Sequence, residues 1–379
     1  MTDKTVIVGT GIAGVSAAAA MRAAGYEGVI ELVGDEPELP YRRTTVSKEI
    51  VRGAKTPDEV RIKSADWYEK QDVTLRIGER VESIDDLDAD QVLLATGGRA
   101  RTFGELPPGV RTLRALADVD DVRAGIASGA DLVVVGAGLI GSEIAASARE
   151  LGCDVTLLET APLPLARVLP PQLGQMYVDL HKAAGVELHT GVAVTGIEES
   201  DGLTVVRGDN GQSWSAPLVV LAVGMAPDTT LAEAAGLELD PAGGIVVDEL
   251  GRTSREGVFA AGDVASMPNT LVGGRHRPEH WQHAQNHGTA VGKAMAGAGE
   301  PFDEVPWAWS DQYGHMLQLT GWPSAEHDVE IRGSLDDHDF TAYFLQDGVV
   351  RGAVGIGRPR EIRAARIWVA ERARFEEVA

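Results

Sequence analysis

Two copies of one glycine pattern, far apart in the chain, constrain this sequence more than any other feature. In the first, the apolar run Val6-Ile7-Val8 leads into Gly9-Thr10-Gly11-Ile12-Ala13-Gly14. In the second, Leu132–Val135 leads into Gly136-Ala137-Gly138-Leu139-Ile140-Gly141. Runs of this kind read as parallel strands buried on both faces. The small residues that follow read as helices, Val15–Ala24 and Ser142–Leu151. The first glycine permits the tight turn, the second lets a pyrophosphate approach the backbone, and the third lets helix and strand pack closely. The pyrophosphate would sit on the free N–H groups at the positive end of the helix. In each copy a second strand then ends at an acid: Val29–Val33 at Asp35, and Val155–Leu158 at Glu159, 18 residues after Gly141. A carboxylate there accepts hydrogen bonds from ribose hydroxyls. At Glu159 it would also repel a 2′-phosphate, which favours NADH over NADPH. Arg167 lies nearby in a proline-rich loop and leaves NADPH as the weaker alternative. The dinucleotide-binding residues expected from this pattern are Gly9, Gly11, Gly14 and Asp35 in one copy. In the other they are Gly136, Gly138, Ile140, Gly141 and Glu159.

The 379 residues suffice for two or three domains. Acid outweighs base, 57 to 34, for a net charge of −23, which argues against nucleic-acid binding. No stretch reaches the length of a membrane span and no signal-peptide pattern opens the chain, so a cytoplasmic protein without membrane attachment is expected. The single cysteine, Cys153, excludes an intrachain disulfide, a Cys-x-x-Cys pair and a cysteine-ligated cluster. Redox chemistry must then belong to a bound cofactor. Cys153 itself reads as a small buried core residue.

Between and beyond the fingerprints the chain keeps an α/β character. Residues 36–48 read as a loop leading into a helix. Lys48 is singled out there: a cation near a flavin would stabilise negative charge on the reduced ring, although the residue alone reads more plainly as a surface lysine. Val73–Val81 reads as a strand, and Gln91–Gly98 and Leu218–Gly224 as a matched pair of buried, glycine-ended strands. Asp263, in Gly262-Asp263-Val264-Ala265, would accept from a ribityl hydroxyl or cap a helix. His276, His280, His283 and His287 include three at helical spacing. A metal site is the sharp reading and a polar helix face near a cofactor the plainer one, since no complete ligand set accompanies them. From Pro306 onward short alternating strands, at Met316–Leu319, Val329–Arg332, Phe340–Leu345 and Val349–Ile356, precede a helix over Glu361–Phe375. Arg358, Arg360, Arg363 and Arg366 make a basic island there, or simply a solvated face.

Together these motifs resemble those of the NADH-dependent ferredoxin reductases that serve bacterial oxygenases. The resemblance rests on both fingerprints, on Ala95-Thr96-Gly97-Gly98-Arg99, on Gly262-Asp263-Val264-Ala265, and on the segments Trp281–Gly288 and Pro306–Gln312. It implies an α/β fold with two Rossmann-like dinucleotide-binding domains (a glutathione-reductase-like FAD/NAD fold) and a C-terminal α+β domain. The expected boundaries are 1–108 and 226–303 for the two parts of the FAD domain, 109–225 for the NADH domain, and 304–379 for the C-terminal domain. It places FAD against the first fingerprint, with contacts from Ala13, Asp35, Lys48, Val81, Arg114, Asp263 and Trp281, and NADH against the second. It assigns Lys48 to the reaction. The implied partner is a [2Fe–2S] ferredoxin feeding a Rieske dioxygenase or a cytochrome P-450, docking near Lys63, Arg358, Arg360 and Arg363 of a monomer or homodimer.

The sequence departs from the family in two places. Arg43-Thr44-Thr45-Val46-Ser47-Lys48 stands where the family has Arg-Pro-Pro-Leu-Ser-Lys, so the loop is less stiff. Between Val81 and Gln91 an acidic connection replaces the family's β-hairpin. The altered loop keeps an NADH oxidase, or a flavoenzyme acting on a small substrate, as the alternative enzyme. A redox-controlled interaction protein is the reading from a different class.

Overall fold

The strand Lys4–Val8 is the central strand of a five-stranded parallel sheet in the computed structural model, which describes residues 3–378. The order across the sheet is Val258–Ala260, Gln91–Leu94, Lys4–Val8, Val29–Gly34, Val73–Ile77. The helix Ile12–Ala23 follows the first strand directly. Residues on the two faces of this sheet feed two separate apolar clusters. Ile7, Leu32 and Leu93 join Val15, Met21 and Met295 in one, whereas Val6, Val8, Val33 and Leu94 join Leu231, Ile245 and Val264 in the other. Alternate residues of a strand point to opposite faces, so a sheet covered on both sides needs an apolar residue at every position. The first compact unit comprises the chain up to Arg42, Pro57–Arg99 and Ala226–Pro306.

The second unit comprises Arg43–Thr56, Ala100–Met225 and the chain from Trp307 onward. Its parallel sheet repeats the first, in the order Val110–Thr112, Leu218–Leu221, Leu132–Val135, Val155–Glu159, Glu187–Thr190. The paired strands Gln91–Leu94 and Leu218–Leu221 lie beside the fingerprint strands of their respective sheets. Three antiparallel strands, Val194–Ser200, Leu203–Gly208 and Ser213–Ala216, complete this part.

The C-terminal segment is a five-stranded antiparallel sheet, ordered Trp307–Gln312, His315–Gly321, Val349–Ile356, Asp339–Gln346, Asp328–Ser334. The helix Pro359–Glu371 buries Ile362, Ala365 and Val369. This sheet shares one core with the helix Pro171–Ala183: Leu173, Tyr177 and Leu180 cluster with Leu317, Phe340, Phe344 and Val354. By compactness, the chain from Trp307 onward falls in the same unit as residues 100–225. So does Arg43–Thr56, which lies within the expected first FAD segment.

Several local expectations are corrected. The strand at 73 ends at Ile77, not Val81, because Gly78 turns the chain with φ +68. The last long helix stops at Glu371 because Arg372 adopts a left-handed conformation, φ 53, and a short separate turn of helix covers Phe375–Val378. Trp307–Gln312 is itself a strand. Between Val81 and Gln91 there is a single 3-10 turn, Ile84–Asp86, capped by Ser83 Oγ accepting the Asp85 N–H at 3.1 Å. Among the described residues no helix is long and apolar enough to cross a membrane.

Candidate functional site

Each fingerprint builds the same cradle. Gly9 and Gly136 have φ of +120 and +101, a region that L side chains rarely enter. A Cβ on Gly9 would lie 2.1 Å from the Ala95 carbonyl oxygen, and one on Gly136 would lie 2.5 Å from that of Ala222. A Cβ on Gly14 would meet the Gly9 oxygen at 2.1 Å, and one on Gly141 the Gly136 oxygen at 1.9 Å. The middle glycines differ in kind. Gly11 and Gly138 have ordinary extended backbone at the N-caps of their helices, and a Cβ on either would find nothing within 4 Å. Two glycines of each motif are thus required by the protein's own packing. The third keeps the space before a helix N-terminus clear, which is the shape a dinucleotide pyrophosphate needs. Both cradles fit such a group.

In the first unit, Asp35 directly follows the strand Val29–Gly34, is exposed, and has Arg80 Nη1 3.4 Å from its carboxylate. Val81 is half-buried against the cluster containing Val33 and Ile84. Asp263 lies in the 3-10 turn Gly262–Val264, whose backbone oxygen at Asp263 accepts from Arg277 Nη1 at 3.2 Å. Trp281 opens the helix Trp281–Met295. That helix packs against Ile12–Ala23 through small residues: a Cβ on Gly288 would lie 2.2 Å from the Ala13 oxygen, and one on Gly292 would lie 2.4 Å from that of Ala17. Ala13 is therefore a packing residue as well as a member of the fingerprint.

Two histidines of this unit, His283 and His287, are engaged by the protein itself. His283 Nδ1 lies 3.2 Å from Glu304 Oε2, and His287 Nδ1 accepts the Gly262 N–H at 3.2 Å. Burial pushes His276 and His280 down to about 4, helped by the neighbouring His283, and holds His287 well below the usual histidine range. Among the described residues no group of His, Cys, Asp or Glu has the arrangement of a metal site.

In the second unit, Glu159 ends the strand Val155–Glu159, and its carboxylate accepts from two backbone amides, Ala137 at 2.6 Å and Ala161 at 2.8 Å. Ala137 lies between Gly136 and Gly138, so the acid braces the glycine loop while keeping lone pairs for a ribose. Ile140, on the first turn of the helix Leu139–Glu150, is 41% exposed. Cys153 is buried, with its thiol 3.1 Å from the Ile126 carbonyl oxygen.

Lys48 is not a surface lysine. It lies in a π-helical turn, Val46–Ile50, is 7% exposed, and places Nζ 2.9 Å from Glu143 Oε2. Glu143 is 4% exposed and also accepts from Ser47 Oγ at 2.6 Å and Ser310 Oγ at 2.7 Å. Ser147 Oγ donates to the Ser47 carbonyl at 3.0 Å, and Gln312 Nε2 to Ser310 Oγ at 3.2 Å. A buried charge must be paired and hydrogen-bonded, and this carboxylate is. Glu143 and Ser310 do not stand out from the sequence pattern. The available signal was a glutamate among small and apolar residues on the fingerprint helix. Arg114 shares this unit, with its N–H donating to Asp118 Oδ2 at 2.7 Å. Lys48 and Arg114 thus fall in one unit, and Gly9, Gly11, Gly14, Asp35, Val81, Asp263 and Trp281 in the other.

A family model described as pyridine nucleotide-disulphide oxidoreductase matches residues 3–288, and a second, described as reductase C-terminal, matches 307–379. The chain belongs to the pyridine nucleotide-disulphide oxidoreductase family. It is an oxidoreductase whose cofactors are FAD and NAD(H). Despite the family's name, this oxidoreductase has one cysteine and cannot form an intrachain disulfide. It is 36% identical to the chlorobenzene dioxygenase ferredoxin reductase component of Cupriavidus sp. (strain PS12), over 99% of this chain and 94% of that protein. It is also 36% identical to the benzene 1,2-dioxygenase system ferredoxin–NAD(+) reductase subunit of Pseudomonas putida, over 96% and 92%. Among solved structures, it superposes on the covalent putidaredoxin reductase–putidaredoxin complex with TM-score 0.91 and 35% identity, covering 98% of this chain and 93% of that one. On a ferredoxin reductase from Rhodopseudomonas palustris the TM-score is 0.93 at 30% identity, covering 100% and 97%.

Proposed function

We propose that this oxidoreductase is an FAD-dependent NADH:ferredoxin reductase that delivers electrons to a [2Fe–2S] ferredoxin serving an oxygenase. The observation that carries the proposal is the pairing of two complete dinucleotide cradles with a reductase C-terminal segment, in a chain without a second thiol. The chemistry that FAD would supply when bound is the conversion of a two-electron hydride donor's reducing power into single electrons, as a one-electron iron–sulfur acceptor requires.

The chain's residues bind, orient and set charge. Gly9 and Gly14 shape the turn, Gly11 leaves room for the pyrophosphate of FAD at the N-terminus of Ile12–Ala23, and Asp35 accepts from its ribose. Ala13, Val81, Asp263 and Trp281 complete that site, with Asp263 aimed at the sugar-alcohol chain. Gly136, Gly138, Ile140 and Gly141 do the same for NADH, and Glu159 selects it over NADPH by charge. In the unit that carries the second fingerprint Lys48 is fixed by Glu143, Ser47 and Ser310, and Arg114 belongs to the same unit; a cation held in this way would be suited to stabilising negative charge on a flavin.

Arg360 and Arg363 are exposed on one face of Pro359–Glu371, with Ile367 beside them. Such a face suits an acidic ferredoxin on a protein that is otherwise strongly negative. Arg358 contributes less, because its guanidinium is engaged by Asp339 at 3.1 Å and Glu361 at 3.0 Å. Lys63, in the other unit, lies 5.1 Å over the Trp67 ring. The test is NADH oxidation by the holoenzyme with and without a [2Fe–2S] ferredoxin. Turnover that depends on the ferredoxin supports the proposal. Equally fast turnover with oxygen alone overturns it in favour of an NADH oxidase.

A further inference from the structure

The turn Gly262–Val264 begins where a strand runs out of partners. Ala261 N donates to the Leu94 oxygen at 3.0 Å, and this is the last ladder bond on that side. Ala261 is extended (φ −148, ψ 157), so the next amide, the buried N–H of Gly262, points to the opposite side, away from Leu94, before Gly262 turns the chain with φ +78. His287 Nδ1 supplies the acceptor, at 3.2 Å. A buried amide that loses its acceptor bears the full cost of its desolvation.

Three segments converge here. A Cβ on Gly262 would come within 2.8 Å of Ala13 Cβ, and Gly288, next to His287, presses on the Ala13 backbone. Small residues set how closely the fingerprint helix, the helix Trp281–Met295 and the turn approach. They do not set the rotation of the turn. Directional hydrogen bonds do, from the Gly262 N–H to His287 Nδ1 on one side and from Arg277 Nη1 to the Asp263 oxygen on the other. His287 is itself held: its ring is buried and stacks on Phe302 at 5.1 Å with the planes 15° apart. Beside it His283 meets Glu304, whose other carboxylate oxygen accepts from Asn286 and whose carbonyl accepts from Asn269 at 3.1 Å. Because Nδ1 accepts, the ring is neutral and carries its proton on Nε2.

We propose that His287 is a positioning residue for FAD, fixing the Gly262–Asp263 turn in the conformation that presents Asp263 to the cofactor. The proposal rests on the reading that FAD occupies the first fingerprint. Two substitutions separate acceptor from ring. His287→Phe keeps an aromatic ring against Phe302 and removes the acceptor. His287→Asn removes the ring and keeps an oxygen near the position of Nδ1.

The experiment titrates each apo-protein with FAD, follows flavin fluorescence, and checks the fold by far-UV circular dichroism. His287→Phe is expected to bind FAD at least about tenfold more weakly than the native protein, and His287→Asn to stay within about threefold of it. Native-like binding by His287→Phe overturns the proposal. Equal weakening of both variants also overturns it, since ring packing would then be the contribution. If His287→Phe does not fold, 15N NMR of the native histidines decides: an unprotonated Nδ1 with a protonated Nε2 is expected for His287, and a protonated Nδ1 overturns it. A native apo-protein that takes up no FAD overturns instead the reading on which the proposal rests.

Discussion

Lys48 Nζ lies 2.9 Å from the Glu143 carboxylate, with both side chains withdrawn from solvent. The pair joins a π-helical turn to the helix that follows the second glycine fingerprint, within one compact unit. Removing one member of a buried pair strands the other charge, which costs about 3–5 kcal/mol. Glu143→Leu should therefore lower unfolding stability in urea by about that amount. The double variant Lys48→Met/Glu143→Leu should be less destabilised than Glu143→Leu alone. Additive losses would show that the two groups do not interact.

The glycines of the first fingerprint should separate by function. Gly11→Ala adds a methyl into open space at an unstrained backbone angle, so the apo-protein should keep its melting temperature while FAD occupancy falls. Gly14→Ala drives a methyl into the Gly9 oxygen at 2.1 Å and should destabilise the apo-protein by on the order of 1–3 kcal/mol. Calorimetry of the apo-proteins and the ratio of flavin to protein absorbance read the two effects independently.

Glu159 should matter twice, as a ribose acceptor and as a brace. Glu159→Gln turns an NH2 group toward one of the amides at Ala137 or Ala161 and loses the charge that repels a 2′-phosphate. The expected result is a KM for NADH about tenfold higher, from the loss of a charged hydrogen bond of roughly 1.5 kcal/mol or more, together with a reduced preference over NADPH. Steady-state kinetics with both nucleotides checks this. An unchanged preference removes Glu159 from cofactor selection.

Acid should weaken the fold through buried histidines. Burial holds His181 at about 4, with Nδ1 2.7 Å from the Tyr313 hydroxyl. The unfolded value is about 6.5, so between these limits the unfolded chain binds the extra proton and stability rises with pH. The contribution is present above about 6.5 and is lost as pH falls toward about 4, a loss on the order of 3 kcal/mol from this residue. Urea midpoints measured from pH 7.5 down to 4.5 should fall, and His181→Asn should show a shallower decline. Parallel curves would assign the acid sensitivity elsewhere.

Reversing the charge of Arg360 and Arg363 to glutamate should slow ferredoxin reduction by about tenfold at low salt, with little effect at high salt. Reduction of a small dye should be unaffected. Equal losses with both acceptors would place the defect in folding or in the flavin site.

Much of the architecture was legible because it depends on local pattern. The runs before Gly9 and Gly136 are buried strands, the glycines turn where only glycine fits, and each following helix begins within three residues of the turn. Element ends were less legible. Arg372 closes a helix without a glycine to announce it, and Trp307–Gln312 forms a strand whose indoles stack 5.0 Å apart, a relation its residue pattern does not specify.

The sequence by itself determined the two cradles, the acids that follow them and the absence of an intrachain thiol pair. Backbone geometry at a glycine and alternation along a strand are set by neighbours in the chain. Only the tertiary structure decided what the isolated polar residues do. Glu143 receives Ser47 from 96 residues away and Ser310 from 167, and His287 reaches back to the Gly262 amide. Such partners are chosen by which buried donors and acceptors the folded core leaves facing one another. No local period encodes that choice, because it depends on packing between segments distant in sequence.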